Sequence, residues 1–291
     1  MEITVIGAIT WPKEPALRLN AIAFPVHGKS VNLNHRKRQL ACPRLAQRLG
    51  VEPSGGVGKV EVPFDAGPSP EILENNYRAL NLKLEGLSFA FLSHPHHDHC
   101  GGLPAIARTN PGIEVFVPAG AAYCVPDGLK AVEVKGIEEV AEDFWSTGTL
   151  RSSPVDEQSA VVKAGGRNVL LVGCSHPGVG RITELVRSRF GDVFFVIGGF
   201  HQPSEDQLRK AFSAATYVAP AHCSGDEAKR RARELGERFV EVRTGTSIAI
   251  EDDERPLVIH QRGRGVALPA FAWGSLPLTR ALATLVVFSA G

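Results

Sequence analysis

The stretch Ser93-His94-Pro95-His96-His97-Asp98-His99-Cys100-Gly101-Gly102 constrains this chain more than any other. It follows the apolar run Leu87-Ser88-Phe89-Ala90-Phe91-Leu92, which reads as a buried strand, so several ligand-type side chains are delivered together at a strand end. His94, His96 and Asp98 lie two apart and point to one side wherever the backbone stays extended. Gly101-Gly102 permits the turn that brings His99 round to them. Neutral imidazoles suit zinc, iron or manganese, and a carboxylate among them suits a second, harder ion or a shared water. His97 lies between ligands and is expected to face away. Three further histidines, His176, His201 and His222, each follow an apolar strand, which argues for a built metal site over an adventitious histidine-rich loop.

Around this array the chain alternates strands and helices. Val60 to Phe64 reads as a strand running into Asp65-Ala66-Gly67, and Ser69 caps a helix that starts at Pro70 and runs to Leu80. A helix is expected to Thr109, then strands at 113–117 and 131–134. Phe144 and Trp145 precede a polar segment, 146–156, that is a candidate lid, although buried packing is the commoner use of such a pair. Ala164-Gly165-Gly166-Arg167 turns a hairpin between 159–163 and 168–172. Helices over 179–190, 205–215 and 226–235 alternate with strands at 193–197, 217–219, 239–242 and 247–250. Opening strands are expected at 2–6 and 17–24.

From 28 to 59 the pattern is poor. Arg36-Lys37-Arg38 reads as a solvated basic face, and the loop 54–58 lacks the Lys-Ser/Thr ending of a phosphate cradle, so it reads as a turn. Residues 1–250 are taken as one domain with 28–59 atypical, and 251–291 as a C-terminal extension without an assigned role.

A net charge of +1 makes neither nucleic acid nor an anionic membrane an obligatory partner, so attraction for an anionic small molecule must be local. The five cysteines have no paired spacing and the chain opens without a basic start, which points to a reducing cytoplasm. The last apolar run, 281–290, is too short to span a bilayer. Oligomeric state is not legible.

The His94-x-His96-x-Asp98-His99 pattern after a buried strand resembles the signature of the metallo-β-lactamase-fold superfamily, and the resemblance covers roughly 60–250. It implies an α/β fold, an αββα sandwich with one or two divalent ions at its edge, zinc first, with manganese, iron or magnesium as alternatives. Carried over, it places His94, His96 and His176 on one ion and Asp98, His99 and His222 on the other. Asp65 stands where relatives have an Asp behind the metal histidines. Cys174 stands where hydrolases of the fold commonly have a bridging Asp, which leaves open a bridging thiolate, a bridging water, a weak second site or a small buried residue behind the ligands.

Gly173-Cys174-Ser175-His176-Pro177-Gly178, Gly198-Gly199-Phe200-His201 and Pro220-Ala221-His222-Cys223-Ser224-Gly225 resemble one branch more closely, that of the dihydropterin-linked aminobenzene ribofuranosyl phosphate synthases. That likeness implies a transferase joining a dihydropterin-methyl diphosphate to an aryl amine with pyrophosphate release. Glu157, Gln158 and Ser175 would then contact the pterin or phosphate, and His201 would contact the leaving group or take the amine proton. The alternative is a general metal-dependent hydrolase of phosphodiesters, lactones or thioesters, with Asp98 as proton acceptor. A ligand-binding protein that keeps the metals without turnover is a third class.

Overall fold

Alternation along the strands divides the apolar residues between two faces, and this division sets the architecture. In this computed structural model the chain is described over residues 2–8, 60–243, 246–250, 257–260 and 283–290. The expected strand at 17–24, the basic cluster at 36–38 and the glycine loop at 54–58 lie outside the described residues.

One sheet contains β1 (Glu2–Ala8), β2 (Val60–Phe64), β3 (Ala90–Phe91), β4 (Glu114–Pro118), β5 (Lys130–Val134), β12 (Thr246–Ala249), β13 (Leu257–His260) and β14 (Ala283–Ala290), in the order β13-β12-β1-β14-β2-β3-β4-β5. From β1 through β14, β2, β3 and β4 to β5 every pairing is parallel. The second sheet contains β6 (Glu138–Ala141), β7 (Phe144–Ser146), β8 (Ala160–Ala164), β9 (Arg167–Val172), β10 (Val193–Gly199) and β11 (Ala215–Ala221), in the order β11-β10-β9-β8-β7-β6. Its β9, β10 and β11 are parallel, and the rest is antiparallel.

Phe64, Phe89, Phe91 and Phe116 of the first sheet meet Phe144, Val162, Val169, Leu171, Phe195 and Ile197 of the second in the central core. Phe144 packs edge-on to Phe89 at 5.3 Å and tilted on Phe91 at 5.5 Å, so it belongs to the core. Intervening residues face outward. Ala90, Leu92, Val115 and Val117 pack under α1 (Pro70–Ala79) and α3 (Leu103–Thr109). Val161, Leu170, Val172, Val196 and Val218 pack under α4 (Val179–Phe190), α5 (Glu205–Ala214) and α6 (Gly225–Arg233). The result is the αββα sandwich expected from the resemblance.

Two differences concern the sheets. Residues 239–242, read as a strand, make only an isolated bridge from Phe239 to Val218. The tail beyond 250 supplies β13 and β14, and β14 lies between β1 and β2 in parallel register with both. No helix among the described residues is long and apolar enough to cross a membrane.

Candidate metal centre

Parallel strands place their C-terminal ends along one edge, and both sheets direct theirs to the same place. β3 is followed by Ser93, His94 and the short helix α2 (His97–Cys100), while β9, β10 and β11 are followed by the loops bearing Cys174 to His176, His201 and His222. Asp65, Ser175, His201 and His222 turn there with φ of 62°, 64°, 44° and 45°. Such left-handed residues are uncommon outside glycine and cluster where a site over-determines them.

The six expected ligands come together. His94 Nε2 faces His96 Nδ1 at 3.1 Å, and His99 Nε2 faces His222 Nε2 at 3.2 Å. Asp98 Oδ2 lies 3.6 Å from His99 Nε2 and 3.7 Å from His222 Nε2. His176 rests against both His94 and His96, with ring centroids at 4.7 and 4.9 Å. His97 is exposed. Ligand atoms of His94, Cys174 and His176 lie within 4.8 Å of one another, and so do those of His99, Cys174 and His222. Cys174 Sγ therefore sits among the ligand atoms and between the two groups, where a bridging thiolate, one of the alternatives left open by the sequence, would lie, and not behind the ligands as a merely supporting residue.

Hydrogen bonds behind the rings determine what the inward nitrogens can do. His99 Nδ1–H donates to Asp65 Oδ2 at 2.7 Å. Ser93 Oγ donates to the same Oδ2 at 2.8 Å and, its one proton committed, accepts from His94 Nδ1–H at 2.9 Å. His176 Nδ1–H donates to Glu157 Oε2 at 2.9 Å. In each neutral ring the Nε2 lone pair is left facing inward, toward other lone pairs and a thiol. A divalent cation satisfies such a cage, and the donor set fits one. Because Asp65 serves both His99 and, through Ser93, His94, an Asp65→Asn variant is expected to weaken both ions by about 10–100-fold in chelator competition. Loss of only one would break the proposed relay through Ser93.

Burial pushes His94 down, and the neighbouring His99 and His176 add to it; burial also lowers His96, with His176 next. Burial would lower His99 as well, but the charge of Asp65 and its hydrogen bond together outweigh it and hold His99 up at about 9. In chelator-treated protein this contribution to stability is complete below the ordinary value of 6.5 and is lost as the pH rises through about 9. Melting temperatures in EDTA should fall over that window, and a flat profile would remove the Asp65–His99 pair as a source of stability. Cys174 and Cys223 are linked: the Cys223 thiol, then burial, push Cys174 up, while Cys174 and then His222 draw Cys223 down to about 5.

The metallo-beta-lactamase superfamily pattern matches residues 64–222, more than half of the chain. The chain belongs to the metallo-beta-lactamase superfamily. A relative, the uncharacterized protein MJ0448 of Methanocaldococcus jannaschii, is 28% identical over 229 residues, 64% of this chain and 88% of the relative. Among solved structures, Tm1679, a metal-dependent hydrolase of the beta-lactamase superfamily, superposes with a TM-score of 0.53 at 25% identity, covering 65% of this chain and 88% of that one. The metallo-beta-lactamase fold protein YhfI from Bacillus subtilis gives 0.47 at 15% identity, covering 63% and 84%.

In this superfamily member three expected substrate contacts have other work. Glu157 is fully buried, and its oxygens accept from Cys174 N at 3.0 Å, Ser175 N at 2.8 Å, His176 N at 2.8 Å and His176 Nδ1. Gln158, also fully buried, joins the sheets: Nε2 donates to Leu92 O and Phe116 O, and Oε1 accepts from Ser146 Oγ. Ser175 Oγ donates to Gly199 O at 2.6 Å. Buried and satisfied within the protein, none of the three presents a polar atom to a substrate. His201 remains exposed, its ring 4.4 Å from that of His176.

Sequence reasoning missed Ser93 and Cys223. Each directly adjoins a histidine, His94 and His222, and that adjacency is the one signal that marks them.

Proposed function

We propose that the protein is a metal-dependent hydrolase of a small anionic ester-type substrate, a phosphodiester, lactone or thioester. One observation carries this reading: of the carboxylates against the histidines among the described residues, Asp65 and Glu157 are buried in support of rings, whereas the Asp98 side chain is 45% exposed at the mouth. Divalent ions held by these donors would supply Lewis acidity and a water reactive near neutral pH. Asp98, beside His99 and His222, would accept a proton from the attacking water, and the ions held at this edge would give the local positive field that the chain's small net charge does not. The similarity to Tm1679, itself described as a metal-dependent hydrolase, supports the hydrolytic reading. The transferase reading draws on the same ions but has lost Glu157, Gln158 and Ser175 as substrate contacts.

The test is hydrolysis of bis(p-nitrophenyl) phosphate, a lactone and a thioester by protein stripped with EDTA and reloaded with zinc or manganese. Turnover is expected only after reloading, and Asp98→Asn should lower kcat by about 10²–10⁴. Turnover that survives EDTA would defeat the proposal. Amine-dependent pyrophosphate release from a dihydropterin-methyl diphosphate, with no ester cleaved, would replace it with the transferase.

A further inference from the structure

Once the two histidine groups and Cys174 are assigned, two further donors among the described residues lie beside Cys174: the His201 ring and the Cys223 thiol. Their ligand atoms and Cys174 Sγ lie within 4.8 Å of one another. The backbone holds them there. Gln202 N donates to Cys223 O at 3.1 Å and Phe200 N donates to Ser224 Oγ at 3.0 Å, which laces the loop after β10 to the loop after β11. His201 and Gln202 both lie in the left-handed region, at φ 44° and 47°. Such a residue is strained and persists only where its surroundings impose it. Gly199 supplies the room, since a Cβ there would come within 2.7 Å of Cys223 Sγ. Exposure rises from buried Cys174 through half-buried Cys223 to exposed His201, so the group opens toward solvent.

We propose that Cys174, His201 and Cys223 form a third metal position beside the two histidine groups, one that takes a thiophilic ion such as zinc or cadmium. Two thiolates and an imidazole with an open side suit such an ion and disfavour magnesium and manganese, which prefer oxygen. A thiolate sulfur has more than one lone pair, so Cys174 serves this ion as well as those behind it. Sharing makes the third ion the most weakly held. The position goes beyond the hydrolytic reading, which needs neither His201 nor Cys223.

The experiment titrates the chelator-treated full chain with cadmium, following sulfur-to-cadmium absorbance in the near ultraviolet and bound metal after equilibrium dialysis. Wild type is compared with Cys223→Ser and with His201→Asn, a residue that tolerates the left-handed backbone but lacks the imidazole. Each variant is expected to bind one equivalent less than wild type. Cys223→Ser should also lose about half of the absorbance due to this edge, one of its two thiolates. Because the comparison is a difference, binding at the other cysteines cancels. Equal uptake by wild type and either variant overturns the third position. The number still bound by Cys223→Ser reports separately on the two histidine groups: fewer than two equivalents there counts against the hydrolase reading and leaves the difference intact.

Discussion

Replacing Glu157 by glutamine is expected to leave the chain folded yet cost it the ion at the His176 group. The carboxylate accepts from three consecutive backbone N–H groups and from His176 Nδ1. An amide oxygen on the Cys174 and Ser175 side can still accept, but the amide nitrogen then faces two donors, His176 N–H and Nδ1–H. The backbone donor is left unpaired in a half-buried place, which costs up to about 1–3 kcal/mol. The ring escapes by changing tautomer, so that Nδ1 accepts from the amide and Nε2 carries the proton. That proton points where the ion must bind. Affinity for this ion should fall by about 10–100-fold while the ion at His99 and His222 is held as before. Chelator competition on cobalt-loaded protein would show one weakened and one unchanged site. Equal weakening of both, or of neither, would contradict the assignment of His176 as the one ring that Glu157 orients.

Glu157 also shows where the sequence stops being readable. Asp156-Glu157-Gln158-Ser159 is polar and precedes a strand, which looks like a substrate rim, yet Glu157 and Gln158 have no exposure. Polarity alone does not say whether a group faces solvent or a buried amide. The loop 174–176 has left its sheet while Cys174 and Ser175 stay buried, and its N–H groups need an acceptor from elsewhere in the chain. That need is visible only once β8 and β9 are paired. The His94 to His99 array was legible because spacing, strand and glycines agree locally.

β14 was not legible for the opposite reason. Its run was read only as too short for a bilayer, because a strand flanked on both sides in a parallel sheet carries no alternation and no hairpin turn to announce it. Its partners β1 and β2 are far away in sequence.

A large loss of stability is expected from adding one methyl group, in Gly173→Ala. A Cβ at 173 would lie 2.1 Å from Ser93 Oγ, 2.5 Å from Ser93 Cβ and 3.0 Å from Glu157 Oε1. These atoms belong to the two networks that orient the rings, the Asp65–Ser93–His94 chain from the first sheet and the Glu157 carboxylate beneath the second. Gly173 is where the sheet ends meet, and close approach is the reason for glycine there. Ser93 cannot move aside, because its N–H and Oγ are both held by Asp65, at 2.7 and 2.8 Å. Overpacking of this kind costs about 1–3 kcal/mol or more, which in a domain of this size lowers Tm by roughly 2–4 °C for each kcal/mol. Both ions should weaken together, unlike the single loss in Glu157→Gln. Combining Gly173→Ala with Ser93→Gly separates the two effects. Removing the opposing side chain should restore most of the Tm, while His94, with no hydroxyl behind Nδ1, still binds its ion poorly. A double variant that regains full metal affinity would show that Ser93 fills space and does not orient His94.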